Sequence, residues 1–508
     1  MSAGHSQAVV IGAGFGGMAA ALRARAKGYE VKLVDRCTRP GGRAQVFERD
    51  GFRHDAGPTV ITAPHLFDEL FELFGKDRRE AVEFMPVDPW YRFEFDDGSR
   101  FDYGADLEQT LEQIRRFNPA DVDGYHGLLE HSRQLFEIGY EKLGDQPFHR
   151  IRTMAAQIPA LGRLRADRSV WQLVSKHLQD DRIRRAFSIQ PLLVGGNPFD
   201  TTSIYSLIHY LERRWGVWFP RGGTGALVDA LADLMQSVGI DLQMGRTVER
   251  IQTQSGQVSG VELSDGTHYP AEVVIANTDP GHLYGSLLDE GEIRLPARIK
   301  RRRSRYSMGL FVLYFGTRRR FDDVAHHTIL MGKRYRGLLD DIFKHGKLAD
   351  DFSLYLHRPT ASDPSFAPAG CDSFYVLCPV PNLSADIDWS VEGPKLQVRI
   401  VEALEARLMP GLSEVMTADF FMTPQDFSHD YLSEYGAGFS IAPLFRQSAW
   451  FRYHNRSEGP EGLYLVGAGT HPGAGVPGVV TSAKVVEGLL PDPTRQSDGQ
   501  PLAQARAQ

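Results

Sequence analysis

Short apolar runs alternate with longer amphipathic stretches along the chain, and their order defines a set of elements. Residues 8–11 are four small or β-branched apolar residues, the pattern of a buried strand. An Ala-rich helical run follows and ends near Gly28, where glycine suits a left-handed C-cap. Residues 31–34 predict a second strand, and 47–57 a hairpin turning at Asp50-Gly51. From about 65 to 200 the period becomes helical, with Leu66, Phe67, Leu70 and Phe71 on one face and further helices expected through 107–142. A helix over 226–238 leads to strands at Asp241–Met244, 248–251, Gln257–Leu263 and 267–269, the last two joined by Ser264-Asp265-Gly266. Residues 273–276, 310–315, 374–380 and 463–466 are apolar strand-like runs, and 479–487 reads as a final helix.

The chemistry lies where strands give way to glycine. Gly12, Gly14 and Gly17 stand between the first strand and its helix, with Asp35 at the end of the second strand. Glycines there permit the tight turn, the approach of backbone to a pyrophosphate and close helix–strand packing. The helix N-terminus offers N–H groups to phosphates, and the carboxylate accepts from a ribose hydroxyl. Gly41-Gly42 then permits a sharp loop that brings Arg43 within reach of the phosphates; the bland alternative is a surface turn. Residues 219–225 repeat the glycine-rich style ahead of the 226–238 helix, and the helix, meander and strand that follow suit the second cofactor-binding piece of a two-dinucleotide flavoprotein. The loop after 463–466 aims one more helix N-terminus out of a strand end, where it can hold electron density on a reduced flavin ring.

Composition narrows the class. The 508 residues suffice for more than one domain, with 42% hydrophobic and 24% charged residues. A net charge of -7 argues against a general nucleic-acid binder, so no nucleic-acid partner is expected. Cys37, Cys371 and Cys378 have no metal-ligand spacing and read as reduced thiols; no metal is expected. No export signal and no membrane span are expected, because the first apolar run is the nucleotide-binding strand and no run reaches spanning length. Residues 150–169 form a basic amphipathic segment interrupted by Pro159, which suits either an anionic lipid surface or an ordinary surface helix. Lys300 to Arg303, Arg305 and Arg318 to Arg320 pose the same choice.

Taken together, GAGFGGMAAALRARAKGYEV, PGGRA, LLVGGNPF, WGVWFPRGGTGALV, SMGLFVLYFG, AHHT, DDFSLYLHRP, QSAWFR and LYLVGAGTHPGAGVPGV resemble the bacterial-type phytoene desaturases of the amine-oxidase-like flavoproteins. The resemblance implies an α/β fold with a Rossmann-like FAD-binding domain assembled from 1–90, 221–285 and 446–488. It also implies a helical substrate and membrane-contact region at 91–220 and a mixed α+β substrate domain at 286–445, while the Pro-, Gln-, Asp- and Arg-rich composition of 489–508 reads as a disordered tail. Gly12, Gly14, Gly17 and Asp35 would hold the AMP half of FAD, Gly42 and Arg43 its phosphates, and the Val248 backbone its adenine. Gly467, Gly469, Thr470, Val476, Pro477 and Gly478 would line the ribitol and flavin ring. Gly469-Thr470 replaces the Gly-Asp pair of many relatives, and no cysteine lies within 457–508, so FAD is expected to be non-covalent.

The family dehydrogenates 15-cis-phytoene, a hydrophobic C40 carotenoid precursor, stepwise toward neurosporene or lycopene. Hydride passes to flavin N5, and oxygen or a quinone reoxidises the flavin. Its members sit on the membrane lipid surface, which implies a cytoplasmic protein on the inner face of the cell membrane. No residue stands in an acid–base constellation: His54, Asp55, Glu212 and His471 lie near the glycine-rich loops, and His471 is the least improbable polar candidate for catalysis. A carotenoid isomerase or saturase and a non-catalytic prenyl-lipid escort protein remain alternative readings on this scaffold, with a soluble amine oxidase behind them.

Overall fold

The computed structural model describes residues 6–493 apart from 151, 153–156, 158, 160 and 161. Five parallel strands form its first sheet, in the order Leu463–Leu465, Val273–Ala276, Gln7–Ile11, Glu30–Asp35 and Asp241–Met244. Parallel strands are covered on both faces. One cover is the helix Phe15–Ala26, whose residues Phe15 to Ala24 are all buried between the sheet and the last helix, Val476–Leu489. Only small side chains fit a helix enclosed on all sides, which accounts for its Gly and Ala content. Arg23 lies inside this packing and is neutralised by Glu487 at 2.7 Å and Glu69 at 2.9 Å. An antiparallel meander, Val248–Gln254, Gln257–Leu263 and His268–Pro270, packs on the other side of the parallel sheet.

The second layer is a seven-stranded sheet in the order Met416–Met422, Gly309–Thr317, Asp372–Val380, Leu354–His357, His327–Leu330, Tyr91–Glu94 and Arg100–Tyr103. Gly309–Thr317 is buried along its whole length, as its unbroken apolar run demands. The expected helical segment 91–220 therefore begins with two strands. Tyr91, Phe93, Phe101 and Tyr103 point inward, while Arg92 and Asp102 pair across the outer face at 2.7 Å. Their period is two, which separates them from the helices that follow.

Residues 489–493, expected as part of the tail, belong to the fold. Leu489 belongs to the last helix, Leu490 is buried, and Tyr29 Oη donates to Pro491 O at 2.8 Å. Lys27 Nζ caps the same stretch through the carbonyls of Glu487 and Leu490, each at 2.8 Å. Residues 494–508 lie outside the described residues, as does most of the amphipathic pattern of 150–169, including Ile151, Met154, Ala155, Ile158 and Leu161. Leu164 and Ala166 at the end of that pattern are buried. Among the described residues no helix is long and apolar enough to cross a membrane.

Helix and loop pack without room for a side chain at the start of the parallel sheet. Gly12 turns the chain with φ +98°, and a Cβ on Gly17 would lie 1.9 Å from Gly12 O. Gly17→Ala is expected to cost about 1–3 kcal/mol through this overlap and to lower flavin content with it. Gly488→Ala, with nothing within 4 Å of the added carbon, is expected to gain about 0.5 kcal/mol as a helical Gly→Ala replacement. Thermal melts and flavin absorbance per chain check the pair.

Candidate cofactor and substrate cavity

A cavity of about 600 Å³ begins at the carboxyl ends of the parallel strands and continues between the helix Leu207–Trp215 and the seven-stranded sheet. Its first part is polar. Gly12, Gly14, Gly42, Arg43, Asp35 and Val248 stand in its wall. The Asp35 carboxylate is held by two backbone N–H groups, Ala13 donating to Oδ2 at 2.6 Å and Cys37 to Oδ1 at 2.7 Å. These bonds fix the rotamer and leave a lone pair on each oxygen. Burial outweighs them and raises the carboxyl above its ordinary pKa. Arg43 Nη2 donates to Ser433 Oγ at 2.9 Å, and its charge faces Asp279, whose pKa burial nonetheless pushes up to about 6.

Farther along the wall come Gly467, Gly469, Val476, Pro477 and Gly478, at the N-terminus of the last helix. Gly17 and Thr470 are not in the wall. Gly17 sits behind it, against Gly12, and Thr470 Oγ1 donates to Gly467 O at 3.0 Å, bracing the loop from inside. The donor set suits a dinucleotide. A Cβ on Gly16 would lie 2.7 Å from Asn277 Oδ1, a cation and a fixed carboxylate flank the opening, and the buried Thr278 Oγ1 in the wall has no partner within the chain. Cys37 also touches this part, but burial and then Asp35 push its thiol up to about 11, so it is no thiolate. The residues fit a non-covalently held FAD.

The second part is apolar, with Val60, Leu192, Ile208, Leu211, Ile329 and Leu377 in its wall. It holds one conspicuous exception. Glu212 is fully buried, accepts from Tyr91 Oη at 2.9 Å on Oε1, and has no partner within the chain for Oε2. Burial pushes its pKa up to about 8, against the smaller opposing effects of Tyr91 and Arg213. Arg213 turns away to Gly104 O at 2.8 Å, Thr110 Oγ1 at 2.9 Å and Tyr125 Oη at 3.0 Å. The sequence carries a signal for this: Ile208, Leu211 and Glu212 share one helix face, and a carboxylate on an apolar face needs a reason.

The other polar candidates differ. His471 lies in the wall with Nε2 donating to Leu143 O at 3.0 Å, and burial pushes its pKa down to about 4, which makes it a poor proton acceptor. His54 bonds Ser373 Oγ at 3.0 Å, and neither it nor Asp55 stands in the cavity wall. The sequence pattern also gave no hint that His326, His327 and His357 would meet in the interior.

The family of flavin-containing amine oxidoreductases matches residues 15–486. A lycopene-forming phytoene desaturase of Pantoea ananas is 49% identical over 482 residues, covering 95% of this chain and 98% of the relative. A neurosporene-forming phytoene desaturase of Rhodobacter capsulatus is 44% identical over 495 residues, covering 96% and 94%. Among solved structures, an oxidoreductase from Methanosarcina mazei superposes with a TM-score of 0.65 at 16% identity, over 94% of this chain and 99% of that one, which shows a shared fold.

The buried carboxyl has a consequence for stability. Folding lifts the Glu212 pKa from about 4.5 to about 8, so the folded chain keeps a proton that the unfolded chain has released. The resulting stabilisation is full below about pH 4.5 and is lost as pH rises through about 8. The melting temperature of the flavin-free protein should fall more steeply between about pH 5 and pH 8 than that of Glu212→Gln, measured by circular dichroism.

Proposed function

The chain belongs to the flavin-containing amine oxidoreductases and, within them, to the bacterial phytoene desaturases; from this we propose that it dehydrogenates phytoene stepwise toward neurosporene or lycopene with non-covalent FAD. The observation that carries the reading is the single cavity that joins a dinucleotide cradle to an apolar slot. Gly12, Gly14, Asp35, Gly42, Arg43 and Val248 would hold the adenine nucleotide and phosphates; Gly467, Gly469, Val476, Pro477 and Gly478 would hold the ribitol and ring, with Gly17 and Thr470 shaping the loops from behind. Oxygen or a quinone would take the electrons onward.

Bound FAD supplies a two-electron acceptor for one hydrogen of a CH–CH pair, taken with its bonding electrons. The neighbouring carbon then has to give up a proton, and the electrons of that C–H bond become the new double bond. Within the apolar slot Glu212 Oε2 is a buried, unpartnered acceptor for that proton, oriented by Tyr91 on Oε1. Tyr103 and Tyr125 face the same group from neighbouring elements, and Arg213 lies beside it. The apolar walls orient the chain and exclude water, and Glu212 cycles between carboxylate and acid. Glu212→Gln keeps the shape and the Tyr91 bond but removes the basic oxygen. With phytoene in liposomes it should lose about 10²–10³-fold in desaturation while keeping its flavin, and wild-type activity should rise with pH toward about 8. Product spectra of the extract read the outcome; a variant within threefold of wild type would remove Glu212 from the mechanism, and a wild type yielding no longer conjugation would remove the desaturase reading.

A C40 hydrocarbon reaches the slot only from lipid, and one surface suits that contact. Leu295 and Ile299 are exposed one turn apart on the helix Leu295–Arg303, which ends in Lys300, Arg301, Arg302 and Arg303. Reciprocal bonds between Arg305 and Gln447, at 2.7 and 2.9 Å, tie this helix to the loop carrying exposed Phe445 and Phe451. Phe445 and Ala449 also stand in the cavity wall, so apolar side chains, basic charge and the slot meet here. Arg318 and Arg319 are instead spent on the carbonyls of Glu414 and Pro410. At roughly 1 kcal/mol per basic residue, Arg302→Glu/Arg303→Glu should weaken binding to anionic vesicles by at least about tenfold and leave flavin content unchanged. Sedimentation with vesicles tests this, and unchanged binding would place the lipid contact elsewhere.

A further inference from the structure

Away from the cavity wall, three imidazoles meet in the interior. His327 opens the strand His327–Leu330 and is paired in register with His357, the last residue of Leu354–His357; His326 precedes them. All three are buried, one ligating nitrogen from each lies within 4.8 Å of the others, and the ring centroids are 4.5, 4.8 and 5.5 Å apart. His327 Nδ1 donates to Trp90 O at 3.0 Å, and His326 Nδ1 is bonded to Ser362 Oγ at 2.7 Å. Each Nε2, and Nδ1 of His357, makes no hydrogen bond of good geometry, with the backbone of Thr59 facing His327 and that of His326 facing His357. Asp55, at the end of the hairpin strand Phe52–Asp55, places Oδ2 3.8 Å from His357 Nε2, while its carboxylate also faces the backbone N–H groups of Thr224 and Gly225.

Buried polar atoms without partners are uncommon, and a cluster of them indicates a ligand. An Nδ1–H given to a backbone carbonyl fixes the tautomer that leaves a lone pair on Nε2, which is the outer-shell arrangement of metal-binding histidines. Imidazoles around one zinc-sized ion at about 2.0–2.1 Å have centroids roughly 5 Å apart. We propose that His326, His327, His357 and Asp55 bind one divalent cation of the zinc class. The three nitrogens supply three positions of a tetrahedral shell, and the Asp55 carboxylate, 3.8 Å from His357 Nε2, is the nearest group for the fourth; a shell closed in this way would make the site structural. The ion would bolt the hairpin beside the cofactor cradle to the sheet that carries Tyr355 and Tyr375 into the cavity wall.

The test uses untagged, flavin-loaded protein. Elemental analysis after gel filtration should find about one zinc per chain, or protein freed of metal should take up about one equivalent in equilibrium dialysis. Cobalt in its place should give the visible absorption of a four-coordinate ion. His327→Gln and Asp55→Asn should weaken metal binding at least about tenfold, and zinc should raise the melting temperature of metal-free wild type but not of the variants. Wild-type protein holding under about a tenth of an equivalent and taking up neither zinc nor cobalt would overturn the assignment, whatever the variants do. Full metal retention in His327→Gln would overturn it equally.

Discussion

The seating of the first helix on the first strand is the contact on which the rest depends. Gly17 lies against Gly12 O with no room for a side-chain carbon, and this closeness points the helix N-terminus along the strand ends where the cavity opens. Moving the helix outward would carry its first-turn N–H groups away from the cradle and loosen its packing on the last helix. That last helix starts from a second strand end and supplies the other side of the same opening. Two helix N-termini therefore converge on one space, which suits a cofactor carrying negative charge.

The long slot follows from how the second sheet is placed. A sheet that is apolar on both faces must bury both. One face of the seven-stranded sheet does so against the helix Trp389–Arg407, while part of the other contributes Ile329 and Leu377 to the cavity wall. Much of the slot's wall is built from strands and helices, so its shape exists before any substrate arrives. Such preorganisation replaces the energetic help that a polar substrate would gain from hydrogen bonds with the shape of an apolar channel.

The legible parts of the sequence were those with local causes. The glycines, Asp35 and the parallel strands announce themselves because turn geometry and period are short-range properties. Tyr91–Glu94 and Arg100–Tyr103 were harder, since four-residue strands next to long helices leave little periodic signal, and only their pairing with distant residues makes them part of a sheet. Thr470 stood in the right loop, yet which way its hydroxyl turns is decided by Gly467 O and not by sequence position. The meeting of His326, His327 and His357 with Asp55 depends on strand register across hundreds of residues, which no local pattern encodes.

Glu212 brings these threads together. A carboxylate costs much less to bury as the neutral acid than as the ion, and an apolar substrate sliding past it meets a neutral wall. As the neutral acid the group must release its own proton before it can take another, so the role proposed for it belongs to the carboxylate form, which the pH dependence tests. In that form it would be a far stronger base beside a carbon that has lost a hydrogen with its electrons than beside a resting hydrocarbon. A permanently charged residue in the same place would oppose entry of the chain, and a residue without a titratable oxygen could not take the proton. Tyr91 serves both states, because its hydroxyl donates to Oε1 whether or not Oε2 carries a proton.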